Sequence, residues 1–313
     1  MRAIGIDIGG TFIKYGLIQG NRILVQKSIP TPFLSHPKIL QETVEKIVWP
    51  LLVQDKRKIR GIGIGIPGLV RFPQGVVRSV VNLKGNWREV PLKAILERRL
   101  HLPIWIDNDV NCMTLAEWKC GAGKRVKNLV CLTLGTGVGG GLILEGNLYR
   151  GLNGSAGEIG HIPLKENGPH CPCGGRGCLE RYVGNRDILR WVKRRLRGGT
   201  PSRMMQLVQR DLSRLSPEII DKACALEDPL ALQTWKRVGV ALGIVLAGVV
   251  NLLSPERIVI GGGISKAGKW LFEPLRQTIR CRSMKGLGNL PVVPASLGSS
   301  AGILGAALLV REG

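Results

Sequence analysis

The stretch RAIGIDIGGTFIKYGLI, residues 2–18, reads as an apolar run, a glycine-threonine turn and a second apolar run. Arg2 to Ile8 has β character and stops at Gly9-Gly10-Thr11. FIKYGLI follows, then the turn Gln19-Gly20-Asn21, then RILVQKSI. Short β runs separated by Gly and Asn turns predict a three-strand antiparallel meander. At Leu129 the pattern starts again: LVCLTLG, then Thr136-Gly137-Val138-Gly139-Gly140-Gly141, then GLILEGNLYRG with a turn at Glu145-Gly146-Asn147. The echo is one of pattern, not of identity. Two such halves predict a duplicated α/β domain with a cleft between two lobes.

The remaining elements fit between and after these halves. Helical spacing runs over 37–53, with Ile39, Leu40, Val44, Ile47, Val48 and Leu51 on one side. Ile59 to Ile66 is a β run ending at Pro67-Gly68, and residues 91–101 read as a helix with Pro91 in its first turn. Ile104 to Ile106 is a short strand, Asn111 to Cys120 a helix, and 185–197, 203–216, 218–226 and 229–253 are further helices. Arg257 to Ile260 is a strand leading into Gly261-Gly262-Gly263, and Ser299 to Val310 is a closing helix rich in small residues.

The chain has 313 residues, 44% of them hydrophobic and 21% charged, which suits two globular units and excludes a disordered chain. The apolar run Val238 to Leu253 carries three glycines and is short for a membrane span, so a buried helix is expected and no membrane partner. The start, Met1-Arg2 before AIGIDIGGT, lacks the apolar core of a signal peptide. Eight cysteines without a disulfide-like pattern fit a reducing cytoplasm. Forty-five Lys and Arg against 22 Asp and Glu leave a net charge of +23. The basic clusters (Lys56 to Lys58, Arg98-Arg99, Lys193 to Arg195 with Arg197) are short, scattered and poor in aromatics. They read as solvated faces or as a field for anionic substrates such as nucleotide phosphates, and not as a specific nucleic-acid surface.

Three features carry chemistry. The glycine turns are the first: Asp7-Ile8-Gly9-Gly10-Thr11 with Lys14, and Gly135-Thr136-Gly137-Val138-Gly139-Gly140-Gly141. Glycine lets backbone N–H groups approach phosphate oxygens, and Thr and Lys add a donor and a charge. A dinucleotide fingerprint opens into a helix, whereas here a strand follows, and no Walker pattern is present. Asp107-Asn108-Asp109, at the carboxyl end of a strand, is the second. A carboxylate there can accept a proton from a substrate hydroxyl, although an Asp can equally cap the helix that follows. The third is GEIGHIPLKENGPHCPCGGRGCLE, residues 157–180. Cys171, Cys173 and Cys178, with either His161 or His170, form a Cys3His set of the kind that holds structural zinc.

Taken in order, DIGGTFIK, GIPG at 65–68, DNDVN at 107–111, LGTGVGGG at 134–141, GEIGH at 157–161, CPCGGRGCLE at 171–180 and IVIGGGIS at 258–265 resemble the ROK family of repressors and sugar kinases. The likeness spans essentially the whole chain and is greatest to the bacterial glucokinases of that family. It implies a two-lobed actin-like ATPase, or ribonuclease H-like, fold. The lobes are then residues 1–118 plus 299–313, and 119–298. It implies ATP-dependent phosphorylation of a hexose at its 6-hydroxyl, glucose above all, with Asp109 as general base. Gly68, Asn82, Asn108, Glu158, His161 and Glu180 would join Asp109 in holding the sugar. Asp7, Gly9, Gly10, Thr11 and Lys14 would serve ATP and Mg2+, with Gly135, Thr136, Gly137, Val138, Gly139 and Gly140 cradling phosphates. Gly261, Gly262 and Gly263 would receive the adenosine half. Zn2+ would sit on His161, Cys171, Cys173 and Cys178. Glu158 within GEIGH favours glucose over N-acetylmannosamine, while fructose and N-acetylglucosamine remain alternative sugars and polyphosphate an alternative donor. A sugar-responsive repressor is the remote alternative, since the first turn begins at Asp7 and leaves no room for a preceding DNA-binding domain. The resemblance also implies a homo-oligomer, a dimer or tetramer, in the cytoplasm.

Overall fold

In the computed structural model, residues 2–55, 58–80 and 87–312 are described. The chain opens with the expected meander, β1 (Arg2–Ile8), β2 (Phe12–Gln19) and β3 (Arg22–Pro30). Then come α1 (Pro37–Asp55), β4 (Ile59–Ile66), β5 (Gly68–Arg71), β6 (Val76–Val80), α2 (Leu92–Leu100), β7 (Ile104–Asn108) and α3 (Asp109–Cys120). The second half runs β8 (Leu129–Leu134), β9 (Val138–Leu144), β10 (Asn147–Tyr149), α4 (Glu180–Val183), α5 (Asn185–Arg197), α6 (Met204–Leu207), α7 (Pro217–Ala225) and α8 (Pro229–Leu253). It ends with β11 (Arg257–Gly261), α9 (Lys269–Arg282), β12 (Val292–Pro294) and α10 (Ala301–Leu309).

Two five-stranded sheets repeat one strand order, β3-β2-β1-β4-β7 and β10-β9-β8-β11-β12. In the first, β1 is antiparallel to β2 and parallel to β4, and β4 is parallel to β7. In the second, β9 is antiparallel to β10, and β11 is parallel to both β8 and β12. The chain divides into two compact units, residues 1–127, 141–157 and 295–313, and residues 128–140 and 158–294. Segment 141–157 thus groups with the first unit, whereas the sequence places it with the second.

The first sheet shows why its strands read as they do. Side chains alternate in a strand, so successive residues face opposite sides. Ile4, Ile6 and Ile8 of β1, Ile62, Ile64 and Ile66 of β4, and Ile104 and Ile106 of β7 are buried in one core with Leu40, Val44 and Val48 of α1 and Leu92 and Leu96 of α2. Between these isoleucines stand Gly5 in β1 and Gly61, Gly63 and Gly65 in β4, and α10 lies against Gly5 and Gly63. A Cβ on Gly5 would stand 1.9 Å from the Ile303 carbonyl oxygen, and one on Gly63 would stand 1.7 Å from that of Ala306. The repeated Gly-Ile pairs therefore give one face to the core and leave the other bare for a helix backbone. On its far side α10 meets α3, where a Cβ on Gly305 would stand 1.7 Å from the Cys112 carbonyl oxygen.

In the second unit α8 packs along α9. Its Gly239 and Gly243 let the two helices approach: a Cβ there would come within 2.7 Å of Leu271 O and 2.4 Å of Thr278 Cβ. α8 is long and apolar enough to cross a membrane, but Trp235, Val238, Leu242, Leu246 and Val250 are buried within the protein. The expected helix over 203–216 is broken, because Gln209 and Arg210 adopt positive φ of 54° and 60°. α9 escapes the sequence reading because Pro274 interrupts its pattern and no side chain caps its start. The β5–β6 hairpin escapes it because Pro73 and Gly75 mark only a loop.

Asp221 on α7 is a strained group. Among the described residues its Oδ1 is buried without a hydrogen-bond partner, as is Trp235 Nε1. Burial pushes Asp221 up to about 6; the nearby Trp235 indole opposes this without closing a bond of normal geometry, and Glu218 adds to it. The folded protein thus holds this proton where the unfolded chain, near 3.8, has lost it. Stability from this group falls as pH rises through that window. Asp221→Asn is expected to raise Tm at about pH 8 by a few degrees and to flatten the decline from about pH 5. Thermal melts at both pH values check this, and an unchanged Tm at the higher pH would show a well-solvated carboxylate.

Candidate active site and metal centre

In the first unit the glycine turn after β1 is built by short-range bonds. Gly9 N–H donates to Phe12 O at 3.0 Å, and Thr31 Oγ1 donates to Gly9 O at 2.6 Å. Gly10 and Thr11 are exposed at its tip. Asp7 and Lys14 are direct cross-strand partners. Burial pushes the Asp7 carboxyl up, and the Lys14 charge opposes that. Asp7 also lies against α10 where only glycine fits: a Cβ on Gly302 would stand 2.3 Å from Asp7 Oδ2.

Asp107, Asn108 and Asp109 end β7 and start α3, and each has a different task. Asp107 is buried and fully engaged. Its Oδ1 accepts from Asn108 N at 2.7 Å and Asn111 Nδ2 at 2.9 Å, and its Oδ2 accepts from Arg150 Nε at 2.7 Å. Burial raises this carboxyl and Arg150 opposes the rise. The helix cap is neither aspartate but Asn108, whose Oδ1 accepts from Val110 N and Asn111 N at 2.8 and 3.2 Å. An amide oxygen reaches the first-turn donors as well as a carboxylate does. Asn108 Nδ2 donates to Gly68 O at 3.0 Å, tying the strand end to the start of β5. Gly68 holds φ of 139°, a conformation that excludes other residues. Asp109 stands at the first helical position, half-buried, with its Oδ1 accepting from Val110 N at 3.0 Å. Of the two aspartates, Asp107 is spent on structure. Asn82 lies outside the described residues.

Arg150 is a residue the sequence reading missed. It pairs with Asp107 and with Glu312 (2.8 Å from Nη2) and stacks over Phe72 at 3.7 Å. No motif marks it, and only the fold brings it to Asp107. Glu117 is likewise invisible in sequence: fully buried, it accepts from Ala122 N, Ser296 N and Leu297 N and binds two loops to α3.

In the second unit the turn between β8 and β9 is fixed from outside. Gly135 N donates to Gly137 O, Asn185 N at the start of α5 donates to Gly135 O at 2.9 Å, and Glu180 Oε2 accepts from Val138 N at 2.9 Å. A Cβ on Gly137 would stand 2.5 Å from that same oxygen, so glycine is needed for Glu180 to come in. Thr136 is exposed, and Gly139 and Gly140 lie within β9. Gly262 packs against the end of β8, with φ of 88° and a would-be Cβ 2.2 Å from Leu134 O. Gly261 and Gly263 flank it, so the β11 turn adjoins the β8 turn.

Glu158, His161 and Glu180 gather near this turn. His161 Nε2 lies 3.8 Å from Glu158 Oε2. Enclosure raises the Glu158 carboxyl; His161 lowers it and Glu180 raises it further, although the side chain remains 47% exposed. The other ring nitrogen of His161, Nδ1, meets the thiols. The ligand atoms of His161, Cys171, Cys173 and Cys178 all lie within 4.8 Å of one another. Cys171 Sγ is 3.6 Å from His161 Nδ1, and Cys173 Sγ is 3.7 Å from Cys178 Sγ. Bond lengths of ~2.3 Å to sulfur and ~2.05 Å to nitrogen about a tetrahedral zinc give about 3.8 Å between sulfurs and about 3.6 Å from sulfur to nitrogen. Both the donor set and its spacing thus fit zinc. His170 points elsewhere, its Nε2 2.6 Å from Arg176 Nη2. Glycines shape the knuckle: Gly174 N donates to Cys171 O, Cys171 N donates to Gly175 O, and Gly177 has no room for a Cβ beside Lys165 O.

The family model described as "ROK family" matches residues 3–313. A glucokinase of Halalkalibacterium halodurans is 36% identical over 99% of this chain and 94% of its own length. A xylose repressor of Caldicellulosiruptor bescii is 32% identical over 98% of this chain and 77% of its own length. The crystal structure of a ROK family glucokinase from Streptomyces griseus, in complex with glucose and AMPPNP, superposes with a TM-score of 0.86, at 32% identity and covering all of both chains. The mixed α/β architecture is that of the ROK sugar kinases, and the chain belongs to the ROK family.

Proposed function

We propose that this chain transfers the γ-phosphoryl group of ATP to the 6-hydroxyl of glucose. It is an ATP-dependent sugar kinase of the glucokinase and hexokinase type, acting on a hexose in the cytoplasm. The observation that carries the site reading is the double contact of Glu180. Its backbone follows the last thiol of the metal cluster, and its carboxylate holds the Val138 N–H of the β8–β9 turn. One residue thus links the loop assigned to the sugar with the turn assigned to phosphate.

The chemistry follows from the roles left to each residue. With Asp107 bound to Arg150 and Asn111, Asp109 is the carboxylate placed to take the proton from the sugar hydroxyl as its oxygen attacks phosphorus. Phosphoryl transfer needs positioning and charge neutralisation more than covalent help. Thr11, Lys14, Thr136 and Gly137 supply donors and charge to the phosphates, and Gly261 to Gly263 leave space for the adenosine half. Asp7 would help to hold Mg2+, which would neutralise phosphate charge there. Asn82, Asn108, Glu158, His161 and Glu180 hold sugar hydroxyls, each of which both donates and accepts. Zn2+ on His161 and the three thiols is structural, since all four positions are filled by protein. The two units are read as the lobes of an actin-like, ribonuclease H-like fold that arose by duplication, in a homodimer or tetramer.

A sugar panel with ATP and Mg2+, scored by kcat/KM, tests the assignment. Glucose is expected to lead fructose, N-acetylglucosamine and N-acetylmannosamine by roughly tenfold or more, a margin that a few hydroxyl contacts supply. A different leading sugar moves the substrate, and faster turnover with polyphosphate than with ATP moves the donor.

A further inference from the structure

Most of the +23 net charge has no task in sugar phosphorylation, and α5 shows where part of it is concentrated. Ile188, Val192 and Leu196 bury one face of this helix. On the other, Arg186, Arg190, Arg194 and Arg197 recur at helical spacing and are all exposed. At 1.5 Å per residue the stripe is about 16 Å long. Like charges one turn apart repel and weaken a helix, so the stripe runs against local helix stability.

The stripe borders two connected hollows. One, of about 290 Å³, is lined by Arg181, Arg190, Arg194 and Arg237 with Tyr182 and Trp191, and Asp187 is its one acidic side chain. The other, of about 560 Å³, adds Arg186, Lys193 and Arg197 and has no acidic lining residue. Arg190 and Arg194 belong to both. Asp187 accepts from Arg181 Nη1 at 3.2 Å and from Arg190 Nη1, which holds these guanidinium groups in place. Among the described residues, Arg181 Nε is buried with no hydrogen-bond partner. Arg237 donates to Tyr182 O at 3.3 Å, and burial and then the charge of Arg194 lower its pKa. Positive charge is therefore oriented, partly desolvated and largely unneutralised.

We propose that α5 and its neighbours form a binding site for a linear oligophosphate, built from residues outside the sugar, nucleotide and metal sets. Guanidinium forks match phosphate oxygens, and an extended row of them matches an extended chain of phosphates better than a single anion. The aromatic lining argues against nucleic acid. Arg237 covers both rings, 5.2 Å from the Trp191 centroid and 6.0 Å from that of Tyr182, and Arg195 lies 6.0 Å from Trp191. Base stacking needs an open aromatic face.

Calorimetric titration of inorganic tripolyphosphate into the full chain, without Mg2+ and without turnover, tests this. Saturable binding that weakens with salt is expected. Arg190→Gln with Arg194→Gln should weaken it roughly tenfold or more, as the loss of charge-assisted bonds predicts. Arg186→Gln with Arg197→Gln, at exposed positions outside the Asp187 pairing, should weaken it several-fold and keeps the test open if the first variant misfolds. Arg22→Gln with Arg60→Gln removes equal charge from exposed positions of the first unit and should leave affinity within twofold. Equal weakening by this control means only a general field. Unchanged affinity in both stripe variants puts the ligand on the glycine turns. Tighter binding of a single-stranded oligonucleotide of matching charge makes the surface a nucleic-acid one. Each of these three results overturns the proposal.

Discussion

Asp109→Asn is expected to lower kcat by ~10²–10⁴-fold while sugar affinity stays within a few-fold, the range lost with a positioned general base. Asparagine has the size of aspartate and can still bind a hydroxyl, but it cannot take its proton. The local fold should tolerate the change, because the cap of α3 is Asn108 and the buried carboxylate that anchors the strand end is Asp107. Sugar binding measured by calorimetry, beside turnover in a coupled assay, separates the two effects. Near-normal turnover would remove Asp109 from the role of base. Asp107→Asn is the informative contrast: it leaves Arg150 half-buried beside a neutral group, so its expected loss is in stability as well as rate.

Cys173→Ala should remove the bound metal and raise the sugar KM together, by roughly tenfold or more. Structural zinc supplies ~10–16 kcal/mol of apparent folding energy in small domains, far more than the glycine-rich backbone of the knuckle could replace. His161 gives Nδ1 to the cluster and turns Nε2 toward Glu158, and the chain passes directly from Cys178 through Leu179 to Glu180. Release of the knuckle therefore frees three of the residues proposed to grip the sugar. Metal content by elemental analysis and KM for glucose are the two readouts. Loss of zinc with an unchanged KM would make the loop a staple and nothing more.

The fold was legible where one physical rule acts alone. The meander of β1 to β3 declares itself by runs of apolar residues and Gly turns, and α5 and α8 by their periodicity, to the residue. The choice of His161 over His170 as fourth ligand was not derivable from spacing, which allows both. The structure separates them, because His170 is turned to Arg176. Partnerships across long sequence gaps were not legible. Arg150 with Asp107 and Glu117 with Ser296 depend on chain segments that only the folded topology brings together. The roles of Asp107 and Asn108 were blurred for a related reason: both residue types can cap a helix, and the decision rests with Arg150, which engages the aspartate.

The glycines of β1 and β4 that lie under α10 have a consequence in time. The residues that cover it, Ile303 to Ala307, are made roughly 300 residues after Gly5. At ribosomal rates of about 5–20 residues per second that is a wait of about 15–60 seconds. Throughout it the isoleucine core of the first sheet can close against α1 and α2, while Gly5 and Gly63 on the other face wait for the α10 backbone that covers them. Glycine suits that interval as well as the final packing, since a strand position without a side chain offers a nascent chain little apolar surface to stick to before its cover arrives.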